Sequence, residues 1–158
     1  MAKKKTENPR IENRKARHNY HIHEKIEVGI VLQGSEVKSV RDGQVSLQEG
    51  FARIEPNSME MFLHEVHIAP YSHASGVNGH DPTRLRKLLA HKREIKRIFG
   101  QTTAKGTTLI PLNMYFVRGR VKLEIGVCTG KKSYDKREDL KSKDARREIQ
   151  KAMTRRRI

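Results

Sequence analysis

Val121-Lys122-Leu123-Glu124-Ile125-Gly126-Val127 alternates apolar and polar or small residues along its whole length. Successive side chains of a strand point to opposite faces, so Val121, Leu123, Ile125 and Val127 read as one buried face and Lys122 and Glu124 as the wet one. Arg118-Gly119-Arg120 just before it marks a turn, and Leu109 to Val117 before that reads as a partner strand with Leu112, Met114 and Phe116 on one face. The same period of two recurs at Ile26, Val28, Ile30 and Leu32, at Val45 and Leu47, and at Met59, Met61 and Leu63, continuing to Val66 and Ile68. Gly34, Asp42-Gly43, Gly50, Pro56-Asn57-Ser58 and Pro70 punctuate these runs, with Val37 and Val40 in a short stretch between the first two. Short alternating strands with glycine turns predict a small closed barrel.

Helices are fewer. Asn13 to Arg17 predicts a short helix with Asn13 as its cap. Asp81-Pro82 opens a predicted long helix, with Asp81 capping and Pro82 at the first helical position. Its apolar stripe would be Leu85, Leu88, Leu89, Ile95, Ile98 and Phe99, ending at Gly100. Residues 72–80 read as a loop. The expected organisation is a disordered basic tail over 1–12, a β-barrel domain over 13–130 and a basic tail over 131–158. That last tail is disordered or conditionally helical, because its stripe of Ala145, Ile149, Ala152 and Met153 is too thin to hold a helix alone.

The 158 residues carry 34 Lys and Arg against 18 Asp and Glu, a formal charge of +16. Residues 1–20 hold seven basic and two acidic groups, residues 81–97 seven and two, and residues 131–158 twelve and five. The remainder is close to neutral. Three cationic segments around a neutral globule are the electrostatic footprint of a polyanionic partner, and nucleic acid fits best. No run of 18 apolar residues occurs, so no membrane span is expected, and no membrane partner is expected because no basic stretch carries a broad apolar face opposite its charges, apart from the helix whose stripe the core needs. Met1-Ala2-Lys3-Lys4-Lys5 has no apolar stretch behind it, so no secretory signal is expected either. Cys128 is the only cysteine, which excludes an internal disulfide and agrees with the cytoplasm.

Enzyme chemistry finds little support. His64-Glu65-Val66-His67 is one residue short of the helical zinc-protease spacing, and no cysteine or carboxylate cluster completes a ligand set. No nucleophile elbow and no phosphate-loop glycine pattern occurs. Neither a metal, a cofactor nor a catalytic residue is therefore expected. Aromatic residues are sparse, and Phe51, Phe62, Phe99 and Phe116 all fit core positions, which favours recognition of folded RNA by shape and backbone. A small basic ribosomal or structural RNA-binding protein is the alternative that composition alone leaves open.

Five stretches together resemble the SmpB, or SsrA-binding protein, family. They are Asn13 to His18, Leu32 to Ser39, His67 to Tyr71, Asp81 to Leu89 and Gly130 to Arg137, in family order and spread over nearly the whole chain. The resemblance implies an oligonucleotide-binding-like (OB-like) β-barrel with a few packed helices. It also implies a function: binding the tRNA-like domain of transfer-messenger RNA (tmRNA, SsrA RNA) and delivering it to stalled 70S ribosomes. The charged RNA would bring elongation factor Tu and alanyl-tRNA synthetase as indirect partners. On matching positions, the resemblance implies RNA contacts at Asn13, Arg17, Glu27 and Leu89, with Lys38, Arg41 and Lys122 on the same surface. It implies that Gly130, Lys131, Lys132, Tyr134, Asp135, Lys136 and Arg137 act in the decoding centre and message channel, against 16S rRNA. Tyr134 stands where many members have histidine, so a role requiring imidazolium is not carried over, and Ala90 replaces a common leucine.

Overall fold

The computed structural model describes residues 8–71, 79–104 and 106–155; the opening lysine run and most of the predicted 72–80 loop lie outside them. The elements run β1 (Ile11–Glu12), α1 (Arg14–Asn19), β2 (Tyr20–Ile30), α2 (Gly34–Arg41), β3 (Val45–Ser46), β4 (Phe51–Glu55), β5 (Glu60–His64), β6 (His67–Ile68), β7 (Arg86–Leu89), α3 (Lys92–Thr102), β8 (Thr107–Val117), β9 (Arg120–Gly130) and α4 (Ser133–Arg155). Six strands pair antiparallel in the ring β8-β4-β5-β7-β2-β9, and the β8–β9 pairing closes it into a barrel. β1 adds to β8, and β3 pairs with β6 as a separate ribbon. Arg118 and Gly119, with φ of 50° and 77°, make the two-residue turn between β8 and β9. Two successive positive φ values match the twist of the strands they join.

The predicted inward face of β9 is the barrel core: Val121, Leu123, Ile125 and Val127 are buried with Ile26, Val28, Met61, Leu63, Leu88 and Met114. A second, smaller cluster lies outside the barrel, where Ala16 of α1 covers Ile110, Leu112 and Cys128. Two register shifts make this possible. One falls between Ile22 and Glu24 in β2, the other between Pro111 and Asn113 in β8. A bulge adds one residue and switches the faces of everything beyond it. Leu112 therefore packs outward under α1 while Met114 packs inward, and the single face expected for Leu112, Met114 and Phe116 is corrected to two. Asn13 pins the β8 bulge. Its backbone N–H donates to Leu112 O (2.8 Å), and its Nδ2 donates to Pro111 O (2.9 Å) and Leu47 O (3.2 Å). Its Oδ1 accepts from the Ala16 N–H at 3.2 Å, which is the predicted helix cap.

Two predicted elements are different. The short stretch holding Val37 and Val40, to which the sequence assigns no element, is α2, with Val40 fully buried. The long helix begins ten residues later than expected, at Lys92, because Arg86–Leu89 is a strand of the barrel wall. Asp81 still caps, but it caps only a turn, accepting from the Thr83 N–H at 3.0 Å. Leu85 and Leu89 are about half exposed, so the helical stripe shrinks to Ile95, Ile98 and Phe99. The physical cause is Arg86, which points into the protein where a hydrophobic residue would be expected.

Arg86 is fully buried, and so is Glu36. Arg86 Nε donates to Glu36 Oε2 (2.5 Å), and its other nitrogens donate to Val66 O (2.8 Å) and Pro82 O (3.0 Å). Arg84 donates to Glu36 Oε1 at 2.6 Å, as does the Gln33 N–H at 2.9 Å. Burial alone would raise the Glu36 carboxyl. The hydrogen bonds from Arg84, Gln33 and Arg86 outweigh it and hold the group below the usual carboxylate range. His80 joins the same region, its ring nitrogens 2.9 Å from Ser35 Oγ and 2.9 Å from Ile68 O. Three of the five family-like stretches thus meet at one buried polar knot, which joins α2 to the barrel.

Candidate nucleic-acid interface

Strand alternation decides which side chains are available outside the barrel. On β2, Ile26 and Val28 go inward, so Glu27 and Gly29 face out. Across the ladders Glu27 lies opposite Glu124, Gly29 opposite both Lys122 and Leu89, and Lys122 opposite Tyr115. Leu89, Gly29 and Lys122 border one groove of about 320 Å³, which Val37 of α2 and Arg120 also line. The side chain of Leu89 lies over Gly29, where an added Cβ would sit 3.3 Å from Leu89 Cβ, so a larger residue at position 29 would crowd the groove floor. Its half-exposed apolar surface is bordered by Lys122 and Arg120, a combination suited to a base or ribose against the leucine and phosphates against the cations.

Glu27 is exposed but engaged, accepting a 2.5 Å hydrogen bond from the Tyr115 hydroxyl. Burial, then that bond to Glu27, push the Tyr115 hydroxyl up to about 12, so it remains a donor throughout the neutral range. Arg10 lies over the Tyr115 ring at 5.1 Å. Asn113 donates to Glu124 at 2.9 Å beside this pair. The carboxylates are therefore held in place with acceptor capacity left for base amino groups. Sequence alone does not mark Tyr115, whose place opposite Lys122 depends on the β8–β9 register.

The other predicted contacts sit on α1 and α2. Lys38 and Arg41 are exposed on α2, over the rings of Tyr71 (5.3 Å) and Phe116 (5.9 Å). Arg17 is exposed on α1, whereas Asn13 is 4% exposed with its polar side-chain atoms engaged inside the protein. Asn13 therefore sets the position of α1 and Arg17.

The tail leaves from the opposite end of β2, where Tyr20 pairs with Gly130. At about 3.3 Å per strand residue, seven residues separate Glu27 from Tyr20, or about 23 Å. The root of α4 is fastened there. Lys131 N–H donates to Asn19 O (2.8 Å), Lys131 Nζ to Arg17 O (3.0 Å) and to Asp139, and His21 Nε2 lies 3.5 Å from Asp135. Lys131 and Asp135 therefore serve the root, while Lys132, Tyr134 and Arg137 are exposed. Beyond the root, none of the 23 residues of α4 is buried, and Leu140, Ile149 and Met153 are open to solvent.

Among the described residues no three His, Cys, Asp or Glu side chains converge as metal ligands, and no helix is long and apolar enough to cross a membrane. Phe62 corrects a core expectation: it is half-buried on the outer face of β5, opposite Arg53 and Lys87.

Comparison with known proteins gives one consistent result. The family described as SmpB protein matches residues 10–155. The SsrA-binding protein of Carboxydothermus hydrogenoformans is 55% identical over 142 residues, covering 90% of this chain and 93% of the relative. That of Geobacillus thermodenitrificans is 52% identical over 141 residues, covering 89% of each. A solved chain from "tmRNA-SmpB: a journey to the center of the bacterial ribosome" superposes with a TM-score of 0.67 at 48% identity, covering 79% of this chain and 86% of that one. With the match running from β1 to the end of α4, on a closed barrel held by the motif residues themselves, the chain belongs to the SmpB protein family.

Proposed function

We propose that this protein binds the tRNA-like domain of tmRNA and delivers it to stalled 70S ribosomes. The observation that carries the reading is the groove where Leu89, Gly29 and Lys122 meet beside Glu27, an apolar and cationic surface on the rigid wall of the barrel. Rigid strands hold such contacts in register, as recognition of a folded RNA requires. Arg17, Lys38 and Arg41 extend the cationic surface. Asn13 acts through α1. The tail, from Gly130 through Lys131, Lys132, Tyr134, Asp135, Lys136 and Arg137, probes the vacant message channel and decoding centre, drawn by its charge to 16S rRNA. Elongation factor Tu and alanyl-tRNA synthetase meet the complex through the charged RNA. The work is cytoplasmic and involves no bond making or breaking by this chain.

Sequencing the RNA that co-purifies with the protein from cells tests the reading. The expected result is one dominant tRNA-like transcript. A random assortment would overturn it, and stoichiometric retention on salt-washed ribosomes would favour a structural ribosomal protein instead. Deleting residues 131–158 should leave RNA affinity largely intact and abolish tagging on stalled ribosomes. Full tagging by the truncated chain would refute the division of labour.

A further inference from the structure

The barrel wall is incomplete at one place. β4 and β8 share a single residue pair, Ala52 with Leu109, whereas β8 and β9 pair along their whole length. Beside that lone pair, a cleft of about 680 Å³ opens between β4, β8 and the end of α3. Its walls are chemically mixed. Phe51, Arg53, Phe99, Thr102 and Thr108 line it, together with Ile54 and Glu55. Phe51 is fixed by stacking on His64, with ring centroids 4.9 Å apart and planes 2° from parallel. Arg53 is exposed, and no carboxylate pairs with it among the described residues. The strand edges facing the cleft have backbone donors and acceptors that no ladder partner uses.

We infer that this cleft is a nucleotide-binding site, taking a single unpaired nucleotide with its base between the Phe51 and Phe99 walls and its phosphate on Arg53. A phenyl ring held in place, as Phe51 is, suits a base face, which every base offers. Threonine hydroxyls and free strand edges supply hydrogen bonds for a base edge. An unpaired guanidinium is suited to bidentate capture of phosphate. The volume is in the range of small-ligand sites. The cleft lies between β4 and β8, whereas the groove proposed above spans β7, β2 and β9, so the two can be occupied independently.

Two sources could supply the nucleotide, a free mononucleotide or an unpaired position in an RNA strand. The test is a titration of the full-length, isotope-labelled protein, followed by backbone and methyl NMR. One arm uses adenosine monophosphate, another a single-stranded hexaribonucleotide, and a third the tRNA-like RNA. The expected result is saturable shifts at Arg53, Thr102 and Thr108 with the hexamer, at concentrations that leave Gly29, Leu89 and Lys122 unmoved. Saturation by the mononucleotide at similar concentrations would assign the site to free nucleotides. Arg53→Glu should weaken the cleft response about fivefold or more, the loss of one charge-assisted phosphate contact, and leave affinity for the tRNA-like RNA at the groove unchanged. Thr108→Trp should fill the space and abolish the response without removing charge. Shifts confined to the tail or the groove, or an Arg53→Glu protein that responds like the parent, would overturn the proposal. Failure of the tRNA-like RNA to bind at all would instead count against the function proposed above.

Discussion

Replacing Arg86 with methionine should destabilise this protein more than almost any other single change. The guanidinium has no exposure, and neither has its partner Glu36. Arg86→Met removes the 2.5 Å bond to Glu36 and the bonds to Val66 O and Pro82 O, leaving a buried carboxylate with one guanidinium fewer, Val66 O without its guanidinium donor, and Pro82 O with the Ile68 N–H alone. Removing one partner of a buried ion pair costs about 3–5 kcal/mol. With a urea slope of about 2 kcal/mol per molar, the unfolding midpoint should fall by about 2 M. Lys87→Ala is the control, since it breaks the Lys87–Glu60 pair, in which both side chains are more than 40% exposed. It should cost about 0–1 kcal/mol. The double replacement Glu36→Leu with Arg86→Met removes both charges, so its cost should fall short of the sum of the two single costs by about 1–3 kcal/mol. Because Glu36 titrates below its ordinary 4.5, its contribution is fully present above that pH and is lost as pH falls through the lowered folded value. The gap between the parent and Glu36→Gln should therefore narrow in acid. A loss under about 1 kcal/mol for Arg86→Met, or strict additivity in the double variant, would refute the account of the knot.

Three further outcomes follow from the geometry. Asn13→Ala deletes a helix cap and the donor to two buried carbonyls, and should cost about 2–4 kcal/mol in urea unfolding; a neutral change would mean that the bulge holds itself. Leu89→Asp falls on a half-exposed position, so stability should move by about 0.5 kcal/mol or less while affinity for the tRNA-like RNA drops about tenfold, equal to about 1.4 kcal/mol; equal losses in both would make Leu89 structural. In an ultraviolet pH titration the Tyr115 hydroxyl should ionise only near 12, and Glu27→Gln should bring it down because the carboxylate is one of the groups opposing ionisation; release of all tyrosine protons near 10 would break the Glu27–Tyr115 assignment.

The sequence disclosed what period and local chemistry determine. The alternation at Val121–Val127 became β9, Arg118-Gly119 became its turn, and Asn13 caps α1. It concealed what depends on partners distant in the chain. Arg86 reads as a surface residue until Glu36, fifty positions away, is seen beside it, and that misreading placed β7 in a helix. The bulges at Ile22/Glu24 and Pro111/Asn113 carry no glycine signature, so the exchange of faces that builds the second cluster could not be read from period two. Phe62 looks like core in any alternation count, yet lies on the outer wall because Met61 and Leu63 occupy the inner one. For the interface, Glu27, Leu89 and Lys122 followed from family likeness. Their meeting around Gly29 needed the strand registers.

α4 keeps no side chain from water beyond its root, and that gives it two lengths. Coiled, residues 140–155 beyond that root measure about 24 Å at 1.5 Å per residue; drawn out, they reach about 53 Å at about 3.3 Å per residue. Only local helical bonding opposes the change, since no tertiary packing is lost. A passage too narrow for a coil can thus be threaded by the same segment, while a wider one admits it as a rod, and the clasps of Lys131 on Asp139 and His21 on Asp135 fix the point from which either reach is measured.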